Sequence, residues 1–316
     1  MYRLDVPHGL MFHRFHESGT KPRSQGSLTE IEFDSILKYV DINRILSPQE
    51  WIYRVKNNRL KTGDLCITFD DGLKGQYDVA LQVLDKYDLK AFWFIFSSVF
   101  NGGVDKNEIY NIFITSFYPS FDEFFHNFIV KSSIPHELFD NSDYQKFYKL
   151  MIRMFPFYSD SDIKFRFIRN YALELVEYEG VMEELMHSAG TNISDISIDI
   201  WLNNDQLEQL NKHGHCIGLH SYSHPYMLSE LDVNDQRSEY IQNYKHIIDV
   251  IHNDVECMSH PLNSYSSETI NILEELGIIC GFRSNMDIEN NFNQTVLGNL
   301  ELPREDSSTL KRLFVG

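Results

Sequence analysis

Short apolar runs alternate with amphipathic segments in two parts of the chain. Leu65–Phe69 is a β-prone apolar run, Gln76–Tyr87 has apolar residues at helical spacing, and Ala91–Phe96 is again apolar and of strand length. A strand, a helix and a strand in this order predict a βαβ unit and therefore a parallel sheet. The alternation of predicted strands and helices resumes after residue 200. The first predicted strand there is Cys216–Leu219, and it ends in His220.

The last third of the chain continues this α/β pattern. The further elements predicted there are the helices Asp205–His213, Asp232–His252 and Ser267–Leu276, and the strands Val255–Ser259 and Ile278–Phe282. Parallel strands that end in polar residues are typical of a (β/α) barrel, which forms its site at the carboxyl ends of the strands. We therefore expect the α/β class: a distorted (β/α) barrel with parallel strands.

The stretch from about 107 to 200 has a different pattern, rich in Phe, Tyr, Glu and Lys and poor in Gly. Four amphipathic helices are predicted in it: Glu108–Phe117, Phe121–Val130, Tyr144–Met154 and Asp162–Leu175. We expect one domain over residues 1–316 with a helical insertion at about 107–200. Either this insertion covers the mouth of the site or it mediates a homodimer; the sequence leaves both open.

Charge and composition narrow the class of partner. The chain has 28 Lys and Arg against 46 Asp and Glu, a net charge of −18, which disfavours nucleic acid and anionic membranes as partners. No apolar stretch is long enough for a membrane span, and the N-terminus has no apolar signal region, so we expect a cytoplasmic protein. The four cysteines are too far apart in sequence for a zinc knuckle, and we expect them to be small buried hydrophobes.

Two polar motifs follow predicted strands. The sequence at 68–72 is TFDDG, with Asp70 and Asp71 adjacent, and the sequence at 220–224 is HSYSH, with His220 and His224 four residues apart. Each motif alone has an ordinary structural explanation: an Asp-Gly turn that ends a strand, or a pair of solvated or core histidines. Together they should open onto the same barrel rim, where one carboxylate and two imidazoles form a metal site and the second carboxylate serves as a base.

These motifs resemble those of the NodB-homology polysaccharide deacetylases, carbohydrate esterase family 4. The resemblance covers about residues 60–100 and 200–312. It implies that Asp70 is the catalytic base and that Asp71, His220 and His224 are the metal ligands. Residues 11–60 resemble only a subgroup whose first strand ends in an aromatic-His pair, here Phe12 and His13.

Other family motifs match less completely. The segment SHPLNSY at 259–265 resembles the third motif, which implies that Pro261 and Tyr265 contact substrate; Tyr222 is a further candidate. The family's Arg that holds the catalytic Asp is absent from this motif. Arg304, in a late Leu-Pro-Arg segment that resembles the subgroup, is the candidate replacement, placed after the end of a last strand.

The late motif that supplies the family's general acid also has no match, because no histidine follows His260. His13 is the first candidate acid and His260 the second. We expect the aromatic side chains of Trp93, Tyr222 and Tyr226 to be available for stacking on sugars, and a backbone N–H near Tyr265 or Tyr222 to stabilise the oxyanion.

The resemblance therefore implies a hydrolase that removes an N-acetyl group from an amino sugar of a surface glycan or its precursor. The expected cofactor is a divalent metal, with zinc favoured and iron or cobalt also suited to the ligands. The expected partner is an N-acetylated sugar or glycan. A deformylase or O-deacetylase on the same site, or an inactive sugar-binding relative, remains an alternative.

Overall fold

The computed structural model describes residues 6–20, 24–287 and 298–315. The chain divides into two compact units. One contains the residues up to Thr20, Leu28–Val104 and those from Ile200 onward, and the other contains a short segment ending at Ser27 together with Asp105–Asp199. The boundaries of the second unit agree with the predicted insertion, but its short N-terminal segment was not predicted.

A parallel sheet forms the centre of the first unit. Its strands within the described residues are β1 (His8–Phe12), β2 (Leu65–Asp70), β3 (Phe92–Ile95), β4 (Cys216–Leu219), β5 (Cys257–Ser259), β6 (Cys280–Phe282) and β7 (Arg304–Asp306). Their order is β6-β5-β4-β3-β2-β1-β7, and every pairing is parallel. A bridge between Phe282 and Leu302 joins the two edges, so the sheet is a nearly closed, distorted (β/α) barrel, as the sequence predicts.

Helices connect the strands and make up most of the second unit. Those within the described residues are α1 (Glu30–Val40), α2 (Pro48–Lys56), α3 (Leu81–Lys86), α4 (Lys106–Phe117), α5 (Phe121–Ser132), α6 (Ser142–Met154), α7 (Asp160–Phe167), α8 (Leu175–Ser188), α9 (Ile193–Ile196), α10 (Asn204–Lys212), α11 (Val233–Ile251), α12 (Ser267–Glu275) and α13 (Ser307–Val315). No helix in the described part of the chain is long and apolar enough to cross a bilayer.

The strands bury both of their faces. Phe92, Phe94 and Phe282 point into the barrel and pack there with Trp51 of α2, while the alternate residues pack outward against the helices. Trp93 faces outward and is fully buried, so the expectation that it stacks on a sugar is wrong. Because the interior is filled, open space for a ligand is left at the carboxyl ends of the strands.

The four cysteines are Cys66, Cys216, Cys257 and Cys280. All are free thiols; three are buried and Cys216 is partly buried. The sequence prediction of small buried residues is therefore confirmed for three of the four.

The second unit contains the helices α4–α9 and is built around aromatic side chains. The rings of Phe124, Phe128 and Tyr178 surround Phe165, with ring centroids 5.0–6.0 Å from it. The insertion is helical, as predicted, but one boundary was wrong. The predicted helix Asp162–Leu175 ends at Phe167 and continues only as a π-helical turn to Ala172. A new helix, α8, follows because Glu174 caps it in a reciprocal capping box.

Candidate metal and catalytic site

A left-handed turn at the end of β2 presents two adjacent carboxylates. Asp70 is the last residue of the strand, and Asp71 and Gly72 follow with φ angles of 73° and 68°. Glycine is favoured at the second position because it adopts this positive φ without steric cost, and a Cβ there would also lie 2.9 Å from the Cδ1 atom of Ile95. The turn reverses the chain so sharply that both carboxylates stay at the carboxyl end of the barrel.

A second irregular segment follows β4. We call residues 220–224 the histidine loop. Ser221 and His224 have φ angles of 64° and 55°, and the Ser221 hydroxyl accepts a hydrogen bond of 3.1 Å from the His224 N–H. This compact turn brings the imidazoles of His220 and His224 to within 5.0 Å of each other, measured between ring centroids.

Asp71, His220 and His224 converge as the sequence predicts. The Oδ1 atom of Asp71 lies 3.4 Å from Nε2 of His220 and 3.6 Å from Nε2 of His224. Atoms bound about 2.1 Å from a tetrahedral ion are about 3.4 Å apart, so this spacing suits three ligands of one cation. Asp71 Oδ1 is buried and has no hydrogen-bond partner among the described residues, which also fits a cation site.

A hydrogen bond from Nδ1 of His220 leaves its Nε2 atom available to bind a metal. Its Nδ1 donates to the carbonyl oxygen of Ser259 at 2.9 Å, so Nε2 carries the lone pair that points toward Asp71. Burial lowers the pKa of His224 to about 4, more than the nearby Asp71 carboxylate raises it. His224 is therefore neutral at physiological pH, the form in which an imidazole binds a metal.

Asp70 is gripped by Arg304. The Nη1 and Nη2 atoms each donate to one carboxylate oxygen at 2.7 Å, and both side chains are almost fully buried. Burial alone would raise the pKa of Asp70, but the charge and hydrogen bonds of Arg304, together with the nearby His220 and His13, outweigh it, and the pKa is lower than usual. The two-pronged pair predicted from the sequence is thus present, and Asp70 is ionised.

Arg304 reaches Asp70 by a route that the sequence did not indicate. It begins β7 rather than following the end of a strand, and it pairs with Gly9 of β1. Its side chain runs through the barrel interior, where Thr68 Oγ1 and the Arg283 carbonyl accept further hydrogen bonds. Gly9 leaves room for it, since a Cβ at that position would lie 3.0 Å from Arg304 Cγ.

Two side chains that the sequence did not single out tie the site together. The Ser259 hydroxyl lies 3.2 Å from Asp70 Oδ1 and 2.8 Å from His220 Nδ1, so it links the base to a metal ligand. The amide of Gln76 donates to the carbonyl oxygens of His13 and Asp70 at 2.7 and 2.6 Å. Neither contact has a sequence signature, because both depend on which strand ends become neighbours.

The two candidate acids lie in different surroundings. Nε2 of His13 is 3.8 Å from Asp70 Oδ2, and its side chain is 25% exposed. His260 is buried, its Nε2 donates to the Leu300 carbonyl at 2.8 Å, and burial lowers its pKa to about 3. The structure therefore brings His13 to the site and gives His260 a structural hydrogen bond, contrary to the expectation for His260.

The three residues predicted to contact substrate, Tyr265, Pro261 and Tyr222, lie in different surroundings. The Tyr265 ring stacks on His260 at 4.0 Å between centroids, and its hydroxyl donates to Glu301 at 2.9 Å. Pro261 is buried at the start of a short turn. Tyr222 is partly exposed, but its backbone N–H donates to Glu239, so it is not free to stabilise an oxyanion as the sequence suggested.

Fold and site define a (β/α) barrel protein with a candidate cation site and a buried Asp–Arg pair at the carboxyl ends of its strands. A family model described as polysaccharide deacetylase matches residues 57–111 and 179–280, which contain both the Asp-Asp and the His-His motifs. The chain belongs to the polysaccharide deacetylase family. No curated protein matches it significantly in sequence.

Solved structures of deacetylases share the fold at low sequence identity. A Streptococcus pyogenes deacetylase, PplD in complex with acetate, is 16% identical with a TM-score of 0.57, and the match covers 96% of this chain and 93% of that one. IcaB from Ammonifex degensii is 12% identical with a TM-score of 0.55, covering 99% and 97%. A de-N-acetylase from Aggregatibacter actinomycetemcomitans is 13% identical with a TM-score of 0.55, covering 98% and 100%. At these identities the likeness shows the fold.

Proposed function

We propose that this protein is a metal-dependent hydrolase that removes an N-acetyl group from an amino sugar of a surface glycan or its precursor. One observation carries the proposal: the convergence of Asp71, His220 and His224 beside an Asp70 carboxylate held ionised by Arg304. Family membership supports deacetylation of a carbohydrate, and the site supplies the groups that an amide hydrolysis needs.

Asp71, His220 and His224 would hold a divalent cation, for which we favour zinc because two imidazoles and one carboxylate are ligands that it prefers. When bound, the cation polarises water and the amide carbonyl. Asp70 lies beside these ligands with its two oxygens fixed by Arg304, so it is oriented to accept a proton from the attacking water.

His13 is the group that we propose as general acid. The water oxygen bonds to the acetyl carbon, and the C–N bond breaks only if the leaving amine receives a proton. His13 is partly exposed, and its Nε2 lies 3.8 Å from Asp70 Oδ2. Gln76 fixes the two segments to each other through the carbonyls of His13 and Asp70.

The test is acetate release from a panel of N-acetylated amino-sugar oligosaccharides and nucleotide- or lipid-linked sugars, with the metal-stripped protein as the reference. Zinc should restore activity to the stripped protein. Asp70→Asn should bind zinc as the wild type does and lose about 100-fold or more in kcat, because an amide cannot accept the proton. Matching activity of Asp70→Asn and wild type would exclude Asp70 as the base.

Parallel reactions with N-formylated and O-acetylated sugars distinguish the acyl group. Faster release of formate than of N-linked acetate would show that the protein is a deformylase. Faster release of O-linked acetate would show that it is an O-deacetylase. Sugar binding without release of any acid, in the presence of bound zinc, would show an inactive sugar-binding relative.

A further inference from the structure

The histidine loop is held in a backbone conformation that its sequence disfavours. Ser221 and His224 both have positive φ angles, and neither is glycine. A non-glycine residue in this region costs about 1 kcal/mol or more, and such residues persist only where the surroundings determine the conformation. Something outside the loop must therefore hold it, since the two imidazoles point at Asp71 only in this conformation.

Glu239 of α11 accepts three hydrogen bonds from the middle of the loop. Its Oε2 accepts hydrogen bonds from the backbone N–H groups of Tyr222 and Ser223 at 2.9 and 2.7 Å. Its Oε1 accepts a third from the Ser223 hydroxyl at 2.7 Å. One carboxylate thus binds two successive backbone donors between the two histidines, and charge-assisted bonds of this kind are stronger than neutral ones.

Two other backbone groups of the loop, the His220 N–H and the Tyr222 carbonyl, are bound by neighbours that are independent of Glu239. Asn243, one turn further along α11, accepts from the His220 N–H at 2.9 Å and donates to the Ile95 carbonyl at 2.8 Å. The Tyr222 carbonyl accepts from the N–H groups of Ser97 and Ser98 at 3.0 and 2.8 Å. Asn243 therefore secures the first histidine and the Ser97–Ser98 turn holds the Tyr222 carbonyl, while Glu239 holds the N–H groups of Tyr222 and Ser223 between the two histidines.

We propose that Glu239 is a positioning residue of the candidate metal site, which holds the loop between His220 and His224 in the conformation that aims both imidazoles at Asp71. This rests on the proposed function only in taking those three residues as metal ligands. Glu239 contacts neither imidazole, so its effect is on the geometry of the ligands.

Zinc affinity of the metal-stripped full chain, measured by competition with a chromophoric chelator, tests this directly. Glu239→Ala should bind zinc about 10–100-fold more weakly than wild type, the range seen when a group that orients metal ligands is removed. Glu239→Gln should stay close to wild type, because its amide oxygen can still accept from both N–H groups. Rescue by Gln and not by Ala would show that hydrogen bonding, not charge, sets the affinity.

Two further variants test whether the length of the Glu239 side chain matters and whether the loss of any carboxylate has the same effect. Aspartate keeps the charge but is one methylene too short to reach the loop from α11, so it should weaken zinc binding as Ala does. If Glu239→Ala does not fold, the comparison of Asp with Gln decides instead. Glu274→Ala removes an exposed carboxylate from α12 and should leave zinc affinity unchanged.

The outcomes separate this inference from the proposed function. Wild-type protein that binds no divalent metal would overturn the metal site itself. Wild-type binding with Glu239→Ala or Glu239→Asp within threefold of it would overturn only the role of Glu239, as would Gln binding as weakly as Ala.

Discussion

At the scale of single residues, Arg304 places a charged guanidinium in the buried interior of the barrel. A buried guanidinium is tolerated when its charge is paired and its donors are used, and here Asp70, Thr68 and the Arg283 carbonyl accept from it. The rings of Phe94 and Phe282 lie within about 6 Å of its carbon Cζ. The surroundings of Arg304 therefore fit both the planar shape of the guanidinium and its positive charge.

Arg304→Lys should lower kcat by about 100-fold while zinc content stays at the wild-type level. Lysine keeps the positive charge but cannot bind both oxygens of Asp70, and a base that is misplaced by about 1 Å loses rate on that scale. Arg237→Lys, at a surface pair with Glu275, is the matched control and should change neither quantity. An Arg304→Lys variant with full turnover would show that charge alone holds the base.

Glu305, the next residue of β7, predicts a pH effect on stability. Burial raises its pKa to about 7, and the adjacent Asp306 adds to the increase. The folded state thus binds this proton more tightly than the unfolded state. The resulting stabilisation is complete below the unfolded pKa of about 4.5 and is lost as pH rises through about 7.

Glu305→Gln, which resembles the protonated form, should match wild type near pH 4.5 and exceed its free energy of unfolding by about 1–2 kcal/mol at pH 8. Urea unfolding at several pH values measures the difference. Glu274→Gln, at an exposed position, should show no such trend. A constant gap between Glu305→Gln and wild type at all pH values would mean that the carboxyl group titrates normally.

At the scale of elements, β1 and β7 pack so closely that a side chain in place of Gly9 would press against the Arg304 side chain. A Cβ on Gly9 would lie 3.0 Å from Arg304 Cγ and 3.2 Å from Thr68 Cγ2. Gly9→Ala should therefore cost about 1–3 kcal/mol of stability and lower kcat with zinc affinity retained. Gly180→Ala, in the middle of α8 with open space around it, should instead be neutral or stabilising by up to about 1 kcal/mol.

Chemical unfolding and kinetics of the two glycine variants compare these effects. If Gly9→Ala keeps the wild-type kcat, the Arg304 side chain adapts without moving Asp70. If it loses stability but Gly180→Ala loses as much, the cost is general to glycine and not to the packing of these strands.

The predictability of the elements follows from their hydrophobic pattern. β2, β3 and β4 could be predicted because they are apolar runs, and β2 and β4 also end in the motif residues or directly before them. β7 could not, because its three residues, Arg304–Asp306, are all charged and give no apolar pattern, although their backbone pairs with β1. The boundary at α8 was missed because its start depends on the capping pair of Glu174 and Glu177 within a stretch that is helical in pattern throughout.

The site was predictable only where chemistry and spacing coincide. Asp70, Asp71, His220 and His224 stand in short motifs at strand ends, and their convergence could be inferred from the parallel sheet alone. Ser259, Gln76 and Glu239 act through hydrogen bonds between segments that are distant in sequence, so no local pattern marks them. His260 was misjudged because a motif position says nothing of how deeply the side chain is buried.

At the scale of the whole molecule, the net charge of −18 should influence which sugar carriers the proposed hydrolase accepts. A field of this sign disfavours approach of a nucleotide-linked sugar more than that of a neutral oligosaccharide, and salt screens it. We expect KM for an anionic substrate to fall as ionic strength rises from about 0.01 M to about 0.15 M, while KM for a neutral one stays constant. An anionic KM that rises with salt would instead indicate a local positive site.

The closure of the barrel has a consequence for how the protein is synthesised. Asp70, the proposed base, and Arg304, which binds it, are 234 residues apart in the chain, and Arg304 stands on the last strand of the sheet in sequence. Until that strand pairs with β1, the Asp70 carboxylate has no guanidinium to offset the free-energy cost of burying its charge. On the ribosome, almost the whole barrel can emerge while the Asp70–Arg304 pair is still incomplete. If Asp70 is the base, as we propose, a nascent chain should be unable to catalyse the hydrolysis until this last strand has docked.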